Sequence, residues 1–150
     1  EQFSYAQIRA LIDLDFTSQA FVARALLSDM KKNKRGHIVF TGSEAALRGA
    51  QKGSIYCAGK FALRGFAQAL REETARHGIR ITLVNPGMVR TPFFDSLDFK
   101  PGGDGDHAIE PEDVAHIIAQ ALGARDGTVI DEINISPQKK VIDFKKNKGN

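Results

Sequence analysis

Apolar residues along positions 5–31 fall at Ile8, Leu11, Ile12, Phe16, Ala20, Ala23, Leu27 and Met30, the three-and-four spacing of one helix face. Phe21, Val22 and Leu26 widen that face, so the pattern predicts a long, largely buried helix, closed by the run KKNKRG with Gly36 as its stop. The period then changes. HIVFTG is a short β-branched and aromatic run that suits a buried strand. A second long helix follows over 54–77, ending near His77-Gly78, and Ile79–Val84 reads as the next strand, closed by Asn85-Pro86-Gly87. Residues 90–109 are rich in Gly, Pro and Asp and read as a loop. Pro111 opens a third helix to about Leu122, with Glu112 and Asp113 at its positive end, and 129–135 is a last strand.

Strands alternating with helices predict an α/β fold with parallel pairing and right-handed crossovers. Ligands of such sheets bind beyond the carboxyl ends of the strands. Ser43 lies just past the first strand and Pro86-Gly87 just past the second, on the same edge as the start of the 54–77 helix.

A chain of 150 residues with 42% hydrophobic and 26% charged residues is long enough for one cored domain. No apolar run reaches the length of a membrane span, because Asp13, Asp15 and Arg24 interrupt the best candidate, and no signal-peptide pattern opens the sequence. The single Cys57 has no partner for a disulfide, which fits a reducing cytoplasm, and it reads as a small core residue. Net charge is +3, yet the last twelve residues hold five Lys against one Asp and leave 16 basic and 17 acidic residues in the body. The basic end, 139–150, reads as a solvated tail on a domain of residues 1–138. The body lacks the basic face with aromatic platforms that nucleic-acid binding needs. His37, His77, His107 and His116 show no metal-ligand spacing with one another or with Cys57, so no metal is expected.

The chemistry concentrates in GSEAALRGAQKGSIYCAGK. Tyr56 and Lys60 stand at i and i+4 of a helix, so their heads converge, with the hydroxyl of Ser43 upstream. An ammonium beside a phenol favours the phenolate, which predicts a lowered Tyr56 pKa and a proton donor suited to neutral pH. Taken alone, Tyr56 could equally be a half-buried helix tyrosine, Lys60 a surface charge, and Ser43 a turn residue.

Ser43, Tyr56-x-x-x-Lys60 and the run Asn85-Pro86-Gly87-Met88-Val89-Arg90-Thr91, in this order and spacing, resemble the second half of a short-chain dehydrogenase/reductase over about residues 5–135. The resemblance implies a Rossmann-like, doubly wound parallel sheet of which this chain is the C-terminal half. It implies an oxidoreductase that interconverts an alcohol and a carbonyl with NAD or NADP. Tyr56 would be the general acid and base. Lys60 would assist it and hold the nicotinamide ribose, and Ser43 would position the reacting oxygen. Pro86, Gly87 and Val89 would approach the nicotinamide, with Val89 bonding its carboxamide and Thr91 near the phosphates. The family's helices corresponding to 5–31 and 54–77 imply a homodimer or homotetramer. The end EINISP is similar to members acting on 3-hydroxy acids and related small alcohols. Phe93, Phe94, Leu97 and Phe99 would either form an apolar lid or anchor their loop.

The chain also departs from the family. Asp15 stands where an Asn usually helps to hold a proton-relaying water. A carboxylate there is expected to favour charged Lys60, oppose the Tyr56 phenolate and move the pH optimum upward. The glycine-rich turn that seats the pyrophosphate is missing, since Gly49-x-x-x-Gly53 lacks its third glycine at Ile55. The reading from sequence is therefore the catalytic half of a longer polypeptide, inactive by itself. The alternative is a non-enzymatic half-domain that pairs with itself or another chain.

Overall fold

The computed structural model describes residues 3–145, and three parallel strands organise it. Strand β1 (Gly36–Thr41) pairs with β2 (Ile79–Pro86), and β2 pairs with β4 (Glu132–Ile135). Helices α1 (Tyr5–Ile12) and α2 (Ser18–Asn33) precede β1, α3 (Ser54–Thr74) connects β1 to β2, and α4 (Pro111–Leu122) lies between β2 and β4. The free side of β1 has no strand partner among the described residues. The core joins Ala23 of α2, Leu63, Ala67 and Leu70 of α3, and Phe40, Ile79, Ile81 and Leu83 of the sheet, with Phe16, Leu27 and Met30 packed against it.

The first helix is continuous in path but not in winding. Residues Asp13–Thr17 form a π turn between α1 and α2, a one-residue bulge of a kind that frequently marks functional sites. The helical stretch is also less buried than its pattern predicts. Helix α1 buries no residue and α2 only Ala23, while Leu14, Phe21, Val22 and Leu26 are exposed. Only the Phe16–Ala23–Leu27–Met30 side meets the core, which leaves the wider half of the apolar face uncovered. The helix stops at Lys34, in the left-handed region at φ 49°, rather than at Gly36, which is already the first residue of β1. At the end of α3, Gly78 takes the left-handed conformation expected of a C-terminal glycine (φ 69°).

Two outcomes alter the picture at the C-terminus. The last parallel strand covers only Glu132–Ile135, not 129–135. The lysine-rich end, expected to be a solvated tail, stays exposed at 139, 140 and 142–145 yet lies back along the 90–109 loop, and 146–150 lie outside the described residues. Strand β5 (Ile142–Phe144) pairs antiparallel with β3 (Phe99–Pro101) in the 90–109 loop. Its lysines find specific partners. Lys139 Nζ reaches Asp106 at 2.7 Å, Lys140 Nζ reaches Glu44 at 2.6 Å, and Lys145 Nζ donates to the carbonyls of Phe94 and Asp95 at 2.9 and 2.7 Å. Charge runs repel one another unless opposite charges and free carbonyls meet them, and here both do.

Candidate active site

The carboxyl ends of β1 and β2 bring the candidate residues together. After Thr41 the chain leaves the sheet: Gly42 N–H still donates to Val84 (2.7 Å), but Ser43 N–H turns to the side chain of Asn85 at 3.3 Å. Ser43 then caps a short 3₁₀ turn, Glu44–Ala46, its Oγ accepting the Ala45 N–H at 3.1 Å. That bond occupies a lone pair and leaves the hydroxyl proton free to donate. Ser43 is buried (8% exposed).

Tyr56 and Lys60 sit in the first two turns of α3, and the Lys60 ammonium lies 5.6 Å from the centre of the Tyr56 ring. The ammonium is shared. Asp15, carried into the site by the π turn and itself buried, holds Lys60 Nζ at 3.4 Å. Gly59 makes this approach possible, since a Cβ there would stand 2.8 Å from the Asp15 Cβ.

The electrostatics differ from the expectation for Tyr56. Burial pushes its pKa above the ordinary phenol value. The Ser43 hydroxyl works against that rise, while Asp15, and after it Cys57 and Glu44, add to it. The expected lowering by Lys60 is not seen: burial is the largest influence on the phenol, Asp15 adds to it, and the Lys60 ammonium is paired with Asp15.

On the β2 side, Gly87 donates to Ile135 (2.7 Å), and a Cβ there would press on Pro137 Cδ at 3.2 Å and the Ile135 carbonyl at 3.4 Å. Val89 forms a parallel bridge with Ile109, made by Ile109 N–H to Met88 and by Arg90 N–H to Ile109. In such a bridge the N–H and C=O of Val89 itself face the other way. Among the described residues no backbone hydrogen bond uses either group. Thr91 is half-buried, its Oγ1 3.5 Å from the Val89 carbonyl. The lid residues divide in role. Phe94 is buried and stacks edge-on with Phe99, whereas Phe93 is exposed with its ring centre 6.2 Å from that of Tyr56. Arg90 ties this loop to α4, with its Nε 2.9 Å from Glu110 Oε1.

Sequence reasoning missed a polar network behind Ser43. Asn85, fully buried, donates through Nδ2 to Glu132 Oε1 (2.7 Å) and Asn134 Oδ1 (3.0 Å), and Arg64 grips Glu132 through Nε (2.8 Å) and a terminal nitrogen (3.2 Å). The only sequence signal was a set of polar residues at inward positions of strand-like runs. One group of potential metal ligands also converges, Asp104, Asp106 and His107, but Asp104 is exposed and Asp106 is already paired with Lys139. Cys57 is buried and free in α3, as its small-core-residue reading expects.

Comparison with known proteins gives this geometry a family. The model of the short chain dehydrogenase family matches residues 1–101. The chain belongs to the short-chain dehydrogenase family. It is 35% identical over 133 residues to the sepiapterin reductase of Chlorobaculum tepidum, covering 83% of this chain and 52% of that protein. A metagenomic short-chain oxidoreductase solved in complex with NADP superposes with a TM-score of 0.74 at 29% identity, over 93% of this chain and 55% of the other. The serine dehydrogenase of Escherichia coli gives a TM-score of 0.75 at 25% identity, over 89% and 55%. The chain thus spans about half the length of the curated relatives it matches. Its three-stranded parallel sheet is the Rossmann-like half-sheet that the sequence predicted.

Proposed function

We propose that the chain is the catalytic half of an NAD(P)-dependent oxidoreductase that interconverts an alcohol and a carbonyl. The observation that carries this reading is the convergence of a buried Ser43 with Tyr56 and Lys60 at one sheet end, beside a Val89 N–H and C=O that no backbone partner takes among the described residues. The residues fit the nicotinamide end of the cofactor. Val89 offers a donor and an acceptor to an amide, Pro86 and Gly87 present backbone without bulk, and Tyr56 and Lys60 offer hydroxyl and ammonium to a ribose, with Thr91 beyond them. When bound, the dinucleotide supplies the hydride.

The chain's own residues handle the oxygen and the proton. Ser43, its lone pair held by Ala45, donates its hydroxyl proton to the reacting oxygen. Tyr56 gives its phenolic proton to that oxygen in reduction and takes it back in oxidation. Burial keeps Tyr56 protonated through neutral pH, so reduction is favoured there and oxidation at higher pH. Asp15 and Lys60 form the inner end of a proton path. The substrate is a small alcohol or carbonyl compound. The identification of 3-hydroxy acids and related alcohols rests on the EINISP segment, and no residue of this sequence decides between NAD and NADP. The single Cys57, buried and free, fits the reducing compartment of a cytoplasmic protein.

The exposed Leu14, Phe21, Val22, Leu26 and Phe61 on α1–α3 and the π turn support self-association through these helices as a homodimer or homotetramer. The same face also favours the second reading, a half-domain whose role is pairing alone. One experiment separates the two. In the longer polypeptide, Tyr56→Phe should cut NADPH-dependent carbonyl reduction by about 10²-fold or more with the fold unchanged. Full activity in that variant sinks the catalytic reading.

A further inference from the structure

Ser43 is held from behind by a side chain rather than by the sheet. One residue earlier the ladder is intact, with Gly42 N–H bonded to Val84. At Ser43 the N–H bonds instead to Asn85 Oδ1. Asn85 has no exposure, and a side chain at Gly42 would collide with its amide oxygen, so the contact is enclosed. The direction of the amide is fixed by its other end. Nδ2 donates to two oxygens, Glu132 Oε1 and Asn134 Oδ1, so the carbonyl end has to face Ser43. Glu132 is in turn locked by the two bonds from Arg64 on α3, the helix that carries Tyr56 and Lys60. The network therefore links the Ser43 backbone, both sheet partners and the helix of the phenol.

We propose that Asn85 is a positioning residue that sets where the Ser43 hydroxyl lies relative to Tyr56, and that Glu132 and Arg64 orient Asn85 for this task. The inference rests on the reading of Ser43 as the residue that positions the reacting oxygen. A fully buried amide with three partners rigidifies its surroundings, whereas a partly satisfied one invites rearrangement. Loss of Asn85 frees the Ser43 N–H from its partner and lets the Ser43–Ala45 turn swing.

The phenol reports the position of the hydroxyl. Ser43 favours the Tyr56 phenolate, so a displaced Ser43 leaves the Tyr56 pKa higher. The chain has two tyrosines and no tryptophan, and Tyr5→Phe leaves Tyr56 as the single phenol for an ultraviolet titration of the intact chain. The other groups around Tyr56, namely Asp15, Glu44, Cys57 and Lys60, stay the same in every variant. Ser43→Ala, Asn85→Ala and Glu132→Ala are each expected to move the Tyr56 transition upward, and Glu132→Gln, whose amide oxygen still accepts from Asn85, to return it close to the parent. The sign is diagnostic. Loss of the Glu132 charge by itself would move the transition downward. If Asn85→Ala does not fold, Glu132→Ala decides, because its side chain is partly exposed (21%) and lies on another strand. An upward shift in Ser43→Ala with none, or a downward one, in Asn85→Ala and Glu132→Ala overturns the positioning role alone. No shift in Ser43→Ala overturns the reading of Ser43 and this proposal with it.

Discussion

Two glycines on one helix make opposite predictions, and together they test how the site is built. Gly59 and Gly65 both lie inside α3, where alanine is intrinsically better than glycine by roughly 0.5–1 kcal/mol. At Gly65 a Cβ meets nothing within 4 Å, so Gly65→Ala should realise that gain. At Gly59 a Cβ would stand 2.8 Å from the Cβ of Asp15. That atom is the root of its side chain and moves only with the π turn. Overpacking of this kind costs about 1–3 kcal/mol, which exceeds the propensity gain and leaves Gly59→Ala less stable by roughly 1–2 kcal/mol. Urea unfolding followed by far-ultraviolet circular dichroism reads both, and the midpoints should separate in opposite directions from the parent. The same variant should loosen the Asp15–Lys60 pair, because the turn that carries Asp15 is the part that has to give. A Gly59→Ala chain as stable as Gly65→Ala would refute the claim that α3 is notched to admit Asp15.

Further outcomes follow from the charges. Asp15→Asn removes a negative charge that opposes the Tyr56 phenolate, so in a Tyr5→Phe background the Tyr56 transition should move to lower pH; an unmoved or raised transition contradicts the arrangement. On the proposed function, the same substitution should move the pH–rate profile of carbonyl reduction to lower pH. His37 is the acid-sensitive point of the sheet: burial, then the charge of Arg80, hold its pKa below 6.5. Thr82 Oγ1 gives its proton to the Ile130 carbonyl, so His37 Nε2 must donate to Thr82, and a second proton would fall on the buried, unpartnered Nδ1. A depressed folded-state pKa contributes stability above the unfolded value that is lost as pH falls through the folded one. Urea midpoints should therefore drop below about pH 6.5 in the parent and flatten in His37→Gln. Calorimetric titration of residues 1–150 with NADPH should show no tight binding, and micromolar affinity would contradict the assignment of the pyrophosphate cradle to another part of the protein.

The parallel order of β1, β2 and β4 was legible because alternating strand and helix periods leave few topologies, and Ser43, Tyr56, Lys60 and Pro86-Gly87 were legible because spacing alone carries them to one sheet end. Three features were not. The π turn at Asp13–Thr17 has no hydrophobic signature, since a one-residue bulge changes which side Asp15 faces without changing the apolar count. The exposed Phe21, Val22 and Leu26 look the same in sequence whether they meet a core or nothing in this chain. The strand at Ile142–Phe144 was hidden by its lysines, whose partners Glu44, Asp106 and the Phe94 carbonyl lie far away in sequence. Asn85 failed in a related way. A polar residue at a strand end reads as a turn former until its three partners, up to 49 residues distant, are known.

These misses share a direction, and it bears on how the site works. What sequence spacing revealed are the groups that would touch the reacting oxygen. What it concealed are groups that hold them from behind: the π turn that brings Asp15 to Lys60, Asn85 and Glu132 behind Ser43, and the β3–β5 pairing in the loop after Thr91. All of these supports come from within residues 13–145. A site whose supports lie in its own sheet end and its own loop keeps its geometry before any cofactor arrives, and preorganised donors cost no rearrangement at the moment of reaction. The pyrophosphate cradle has no counterpart in this sequence, so placement of the proton and retention of the dinucleotide are separable here. Substitutions in the support network should therefore alter turnover while leaving the affinity for the adenosine end of the cofactor unchanged.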